Sequence, residues 1–351
     1  SSVPTTLSAW LHLTDRCNLR CTYCYLPHHL VDMSLQTGQA ALEATCRSAV
    51  AHHYRRIKLK YAGGEPLLRF PMISQLHRYA QTLATRHSLE LEGVVLSNGT
   101  LLQPHMLEEW QALNLRLMIS LDSLKDNQRL YADGRGTSGE AMRSIELALA
   151  HGFTPYISVT VTAENLADLP ELMAWILARD LPFNLNFSRE PGNVQSWTNP
   201  KSKIQSLKST FRVIEANLPR RSLLASLIDR ANLTTPHLRT CGAGCNYLVF
   251  DSQGRVSKCQ MCQQQPITTA QAVDPLALLQ ADHTTVPNLS VEEKEDCRTC
   301  EWKHWCAGGC PLVTHQATGR YDVKSPYCDI YKTLYPEALR LEGLRLLKYA
   351  A

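Results

Sequence analysis

The sequence predicts an α/β protein: a partial (β/α)6 TIM-like barrel followed by a smaller cysteine-rich unit. Two observations lead there. From residue 8 to about 190, short apolar strand-like runs alternate six times with segments of helical periodicity. The 13 cysteines, by contrast, crowd toward the two ends, with none between Cys46 and Cys241 and nine from Cys241 to Cys328. Six β-α units imply a parallel sheet covered by helices, and right-handed crossovers curl such a sheet toward a barrel. Six fall short of the eight that close one, so the barrel is expected to be open. Its chemistry is expected where strands end and loops begin.

Taken in order, a strand at 8–14 leads through a cysteine loop into a helix at 34–52. A strand at 57–62 passes through Gly63-Gly-Glu-Pro66 into a helix at 72–86. Strand 91–96 is followed by Ser97-Asn-Gly-Thr100 and a helix at 103–113. Strand 115–121 opens a polar, glycine-rich loop (122–139) before a helix at 140–151. Strand 156–162, helix 166–179 and strand 183–187 complete the series. The stretch 191–236 changes character: a turn rich in Pro, Gly and Asn, then helical segments at 201–217 and 221–232, expected to be the last barrel helix and a bridge. Residues 237–332 hold the cysteine-rich unit, with a hairpin of strands 247–251 and 255–258 turning at Gly254. An amphipathic helix is expected over 334–351, offering Leu339, Leu341, Leu344, Leu346 and Leu347 for docking. The expected division is therefore 1–190, 191–236, 237–332 and 333–351.

Composition bounds the function classes. Hydrophobic content of 44% and charged content of 19% describe an ordinary soluble globular chain. A net charge of +4 is mildly basic and suits an acidic peptide, but no concentrated basic run argues for nucleic acid. No apolar stretch approaches the ~18 residues of a membrane span, and the first residues are not a signal peptide. A disulfide framework fits poorly with this size and clustering, so thiol ligation of metal in a reducing cytoplasm is expected.

Cys17-Asn-Leu-Arg-Cys21-Thr-Tyr-Cys24 sets three thiols at C-x3-C-x2-C spacing. A cubane iron–sulfur cluster has four irons and is ordinarily held by four cysteines, so three leave one iron open to a small molecule. Structural zinc needs a closed set of four, which the nearby His28 and His29 support only weakly. The spacing, with Tyr23 just before the third cysteine, resembles the signature of the radical S-adenosylmethionine (SAM) superfamily. The likeness extends along the chain. Gly63, Gly64, Glu65 and Pro66 match that family's glycine-rich stretch, which receives the methionine amino group; glycine permits close approach and a carboxylate suits an ammonium. Ser97 and Asn98 resemble a Thr-Asn-Gly segment near the ribose, and Ser120 and Asp122 a Ser-Ile-Asp motif at the end of the fourth strand. Capping of strand ends and turns is the competing role for these polar residues. Relatives follow with His-Asp and a later Arg; here the stretch is Asn127-Gln-Arg129-Leu-Tyr131, which leaves Arg129 and Tyr131 without an assigned role.

Cys297-x2-Cys300-x5-Cys306-x3-Cys310-x17-Cys328, preceded by Cys241-x12-Gly254-x4-Cys259, resembles the SPASM extension of radical SAM enzymes that modify peptides and proteins. The resemblance implies three [4Fe–4S] clusters. One would be held by Cys17, Cys21 and Cys24 and bind SAM; auxiliary cluster I by Cys241, Cys245, Cys259 and Cys310; auxiliary cluster II by Cys297, Cys300, Cys306 and Cys328. Cys262 is a competing ligand, zinc ribbons are the alternative for C-x2-C pairs, and Cys46 is expected to be a buried apolar thiol. The implied activity is oxidative cross-linking of a ribosomally made precursor peptide through a carbon–carbon, carbon–oxygen or thioether bond. An electron donor such as a flavodoxin or ferredoxin would serve it. No leader-recognition domain fits before the first strand, so a separate partner or the 191–236 bridge is expected to bind the leader. Anaerobic sulfatase maturation to formylglycine is the second candidate, but the Asp expected as base after the extension's second cysteine is Gln260, and an amide takes no proton at neutral pH. A non-catalytic electron carrier is the third, disfavoured because a pure carrier needs no SAM pocket.

Overall fold

The computed structural model describes residues 5–189 and 200–349. Strands β1 (Thr6–His12), β2 (Arg56–Ala62), β3 (Glu90–Ser97), β4 (Leu115–Ser120), β5 (Tyr156–Val161) and β6 (Phe183–Phe187) lie parallel and side by side in sequence order. Between them run α1 (Leu35–Ala51), α2 (Phe70–Arg86), α3 (Pro104–Ala112), α4 (Ser138–Ala150) and α5 (Leu169–Leu177). The six expected units are all present, each within a few residues of its expected bounds. The sheet does not stop at β1. Strand β7 (Tyr247–Phe250) pairs with its free edge in parallel, and β8 (Arg255–Ser257) and β9 (Thr268–Thr269) follow antiparallel. The hairpin of the cysteine-rich unit thus continues the barrel sheet, giving the order β6-β5-β4-β3-β2-β1-β7-β8-β9.

Alternation along the strands sorts the core from the barrel interior. On β2, Ile57, Leu59 and Tyr61 are fully buried against the helices. Arg56, Lys58 and Lys60 take the opposite face, half-buried inside the barrel. At the N-terminal ends of the strands this interior carries a charge network, with Lys58 Nζ 3.5 Å and Arg116 Nη1 3.7 Å from Glu92 Oε2. The helical layer is capped locally. Ser34 accepts from the Thr37 amide at the start of α1, and proline opens α3 and α5, where its missing N–H costs nothing. Cys46 is buried in α1, as expected.

Beyond β6 lie α6 (Pro200–Ala216), α7 (Pro275–Ala281), α8 (Lys303–Cys306), α9 (Pro311–Thr318) and α10 (Cys328–Tyr349). The turn expected at 191–199 lies outside the described residues. The helix expected at 221–232 is not formed: the segment runs as successive turns. Its backbone serves other elements instead. Ser226 O accepts from Leu185 N on β6 at 3.0 Å, and Leu223 N donates to Glu342 at 3.0 Å. The C-terminal helix begins at Cys328 rather than 334, and its docking face is mainly not the expected leucines. Ile330, Tyr331, Leu334, Tyr335, Ala338 and Leu341 are buried, whereas Leu339, Leu346 and Leu347 are exposed. Tyr331 stacks on Phe187 of β6 and on Tyr335, and these aromatics set the rotation of the helix.

Asp274 joins the two parts of the chain. It caps α7 at the Ala277 amide, accepts from Ser48 Oγ of α1 at 2.7 Å and contacts Nε2 of His52, the residue that follows α1, at 2.8 Å. Burial alone would raise its pKa; the bonds from Ser48, Ala277 and His52 outweigh that and hold it below 3.8. A depressed carboxyl stabilises the fold above its unfolded pKa and loses that contribution as pH falls through the folded value. Asp274→Ala is expected to lower stability by about 1–3 kcal/mol at neutral pH, measured by denaturant unfolding. The gap from the native chain should narrow below about pH 4.

Candidate active site

The C-terminal ends of β1, β2 and β3 are held together by a short backbone approach. Gly64 N donates to Thr14 O at 2.7 Å and Glu65 N to Arg16 O at 2.9 Å, just before Cys17. A Cβ on Gly63 would lie 2.5 Å from Thr14 O, and one on Gly64 2.2 Å from Arg16 O. Both glycines therefore make room for the chain that launches the cysteine loop. Glu65 is fully buried and already engaged: Oε1 accepts from Leu67 N (3.0 Å) and Ser97 Oγ (2.8 Å), and Oε2 from Asn98 N (2.8 Å). Burial pushes its pKa up to about 6 against those bonds. Pro66 opens the following 3-10 turn, for which Glu65 is the cap. Asn98 reaches back to the cysteine loop, its Nδ2 2.9 Å from Asn18 Oδ1 and 4.0 Å from Cys17 Sγ.

A second group closes the loop from the other side. Asp122 is buried, and its carboxylate accepts from Tyr23 Oη, from Arg129 Nε at 2.9 Å and from the Thr160 amide at 2.7 Å. Arg129 also points Nη1 at Cys21 Sγ, 3.8 Å away. The residue left without a role by the sequence thus links Asp122 to the thiols. Ser120 stands half-buried, opposite Ser158 of β5. Burial pushes the Cys17 thiol up to about 11. Leu19 N, 3.3 Å from Cys17 Sγ, and the Asn98 and Arg129 donors suit sulfurs that carry cluster charge.

The later cysteines fall into two neighbourhoods. Cys297, Cys300, Cys306 and Cys328 line one small cavity, walled by Trp302, Tyr331 and Tyr335. Cys241 lies within electrostatic reach of Cys259 and Cys310. Between the groups the chain turns through Ala307, Gly308 and Gly309, all left-handed (φ 47°, 76° and 72°). Lys294, 1% exposed, donates from Nζ to Ala307 O at 3.0 Å, and its charge faces Cys297, Cys306, Cys310 and Cys241. Thr240 Oγ1 holds the same turn at Gly309 O, 2.7 Å away. Among the described residues, no three His, Cys, Asp or Glu side chains converge as they would round a single metal ion.

An open cleft separates the first cysteine loop from the second unit, lined by Asp15, Tyr25, Gln260, Met261 and Gln263 among others. Tyr25 lies within electrostatic reach of both Cys24 and Cys259. Gln260 accepts from Tyr247 Oη at 3.2 Å. His12 Nε2 lies 3.0 Å from Asp15 Oδ1. Inside the barrel, Lys60 Nζ lies 5.1 Å from the Tyr247 ring centroid; burial, then Lys58 and Arg230, lower its pKa to about 8. Lys60 went unnoticed in the sequence, although the alternation Arg56-Ile-Lys58-Leu-Lys60 marks a polar barrel interior.

The pattern of the radical SAM superfamily matches residues 11–176. That segment is a radical SAM domain. Domains of this kind bind a [4Fe–4S] cluster and SAM, and the donors around Cys17 and Cys21 fit such a group. A protein of Archaeoglobus fulgidus is 23% identical over 350 residues, 95% of this chain and 81% of its own. An AdoMet-dependent heme synthase of Methanosarcina barkeri is 27% identical, with 93% of this chain and 96% of its own covered. The chain spans about half the length (52%) of a GTP 3′,8-cyclase of Rhizobium meliloti that it also matches. Among solved structures, anSMEcpe bound to AdoMet and the Cp18Cys peptide superposes with a TM-score of 0.76 at 19% identity, covering 97% of this chain and 99% of that one. Streptococcus suis SuiB bound to precursor peptide SuiA gives 0.57 at 15% identity, covering 91% and 74%. These likenesses extend the shared fold past the radical SAM domain into the cysteine-rich region. No helix among the described residues is long and apolar enough to cross a membrane.

Because a Cβ on Gly64 meets Arg16 backbone rather than open space, Gly64→Ala should displace the cysteine loop itself. Anaerobically reconstituted variant is expected to hold about four fewer irons than the native protein and to cleave no SAM. Iron assay and 5′-deoxyadenosine release check both; native iron with weakened SAM binding would instead place the role of Gly64 at the ligand.

Proposed function

We propose that the protein is a radical SAM peptide maturase that oxidatively cross-links a ribosomally made precursor. The observation that carries this is the cleft: Asp15, Tyr25, Leu26 and Pro27 flank it from the SAM-binding loop, and Asp251, Gln260, Met261 and Gln263 from the second cysteine unit. A substrate lying there can meet a radical on one side and an electron acceptor on the other. Its open, polar lining suits an extended peptide, and superposition on two proteins crystallised with peptides supports the same class.

Cys17, Cys21 and Cys24 would hold the catalytic cluster. Gly63–Pro66 (through backbone groups), Ser97, Asn98, Ser120, Asp122 and Tyr23 would shape the SAM site. The cavity bounded by Cys297, Cys300, Cys306 and Cys328 suits auxiliary cluster II. Held by Cys17, Cys21 and Cys24, such a cluster with SAM would supply one-electron chemistry for hydrogen-atom abstraction, and clusters held by the later cysteines would supply an acceptor for the electron released as the new bond forms with loss of a proton. Gln260 cannot act as a base, so formylglycine formation at this site would need its base from another residue. A second possibility follows from the heme synthase relative, whose likeness covers nearly the whole of both chains; its substrate would be a tetrapyrrole rather than a peptide.

The decisive experiment is anaerobic incubation with reductant, SAM and the small-protein precursors encoded beside the gene. One 5′-deoxyadenosine should form per product, and the product should be lighter by two hydrogens. Cys328→Ala, which opens auxiliary cluster II, should still cleave SAM while product falls at least tenfold. A formylglycine mass on a sulfatase peptide, or turnover of a tetrapyrrole alone, would overturn peptide cross-linking.

A further inference from the structure

The three cations on the inner face of β2 are not alike. Parallel pairing sets Arg56 beside Glu90 and Lys58 beside Glu92 on β3. Both find acids there: Arg56 Nε lies 2.7 Å from Glu90 Oε2, and Lys58 Nζ 3.5 Å from Glu92 Oε2. The third does not. Lys60 stands between Val94 on β3 and Trp10 on β1, and among the described residues no carboxylate acts on its ammonium. Its Nζ lies instead 5.1 Å from the ring centroid of Tyr247.

The groups around Lys60 lack the same thing. Trp10 Nε1 is buried and has no hydrogen-bond partner among the described residues, and an indole N–H can only donate. Arg230 Nε is likewise buried and unpartnered, and its guanidinium faces both Lys60 and Tyr247. The carboxylate next to it in the chain, Asp229, is taken by Arg189 at 2.7 Å. Arg230 also keeps a left-handed backbone (φ 57°), and such strain in a residue other than glycine collects at functional sites. Ammonium, indole and guanidinium are all donors, and an anion would satisfy them together. The place adjoins the cleft, because Tyr247 Oη donates to Oε1 of Gln260, a cleft residue, at 3.2 Å. Lys60, Trp10 and Tyr247 are each only half-buried, which leaves it open to a ligand.

We propose that Lys60, flanked by Trp10 and Arg230, receives a carboxylate of the substrate. The inference rests on the peptide reading above and adds a selection rule to it. A genetically encoded peptide offers this anion as an Asp or Glu side chain or as its C-terminus. Held at the barrel wall, that carboxylate would set the register in which the peptide lies along the cleft.

The test uses the anaerobically reconstituted holoprotein with SAM and short N-acetylated peptides, read by calorimetry. Each carries a central Glu or Gln among alanines, with the C-terminus amidated or free. A probe with a carboxylate should bind about tenfold or more tightly than the uncharged one, and the central-Glu and free-C-terminus probes separate the two sources. Lys60→Met should erase the difference while keeping its iron, and Lys60→Arg should retain both. Equal binding of charged and uncharged probes by the native protein, or a preference that survives Lys60→Met, overturns the inference. Iron loss in Lys60→Met overturns it too, since the cation would then serve the Cys241 thiol that it also faces. A precursor that is cross-linked as well after all its carboxylates become amides overturns this selection rule alone; turnover of a tetrapyrrole alone overturns the peptide reading with it.

Discussion

The site depends on a contact between two stretches of bare backbone. Gly64 and Glu65 donate to Thr14 and Arg16 across a gap that no side chain at position 63 or 64 could share. That contact places the start of the cysteine loop against the end of β2. Glu65, buried and fully engaged, then ties the junction to Ser97 and Asn98 at the end of β3, and Asn98 returns to Asn18 within the loop. Three neighbouring strand ends are thereby locked to the segment that carries the first three thiols. A carboxylate that in sequence suits a ligand's ammonium is thus occupied in holding the scaffold the ligand would need.

A second organising feature is the polar barrel interior. Parallel strands buried on both faces ordinarily read as continuous apolar runs, yet β2 alternates charge with aliphatic side chains. The inner face carries these charges in ion pairs such as Lys58–Glu92 and Arg116–Glu92, while the outer face packs under helices. Extension of the sheet through β7 then brings Tyr247, and with it Gln260, beside Lys60. The wall facing the first cysteine loop is consequently built from the second cysteine unit. Neither half of the chain contains the cleft by itself.

Much of this was legible before any coordinates. The six β-α units and the cysteine spacings are local patterns, and local patterns survive translation into structure. What could not be read is what distant residues decide. The 221–232 segment has helical periodicity, but its carbonyls and amides are claimed by β6 and Glu342. The leucines of α10 promise a docking face, but Tyr331 and Tyr335, stacking from Phe187, turn the helix so that Leu346 and Leu347 face solvent. Arg129 carried no motif of its own, and only its placement between Asp122 and Cys21 discloses a part in the site.

The turn from Cys306 to Cys310 carries one thiol toward each of the two later cysteine groups, and its three left-handed residues fold around the buried Lys294 ammonium. With metal on both groups, the separation between them is a property of five covalently joined residues and not of how two subdomains happen to dock. Opening of the cleft between the first cysteine loop and the second unit would leave that separation unchanged, because it is set within five consecutive residues of one turn closed on a buried side chain.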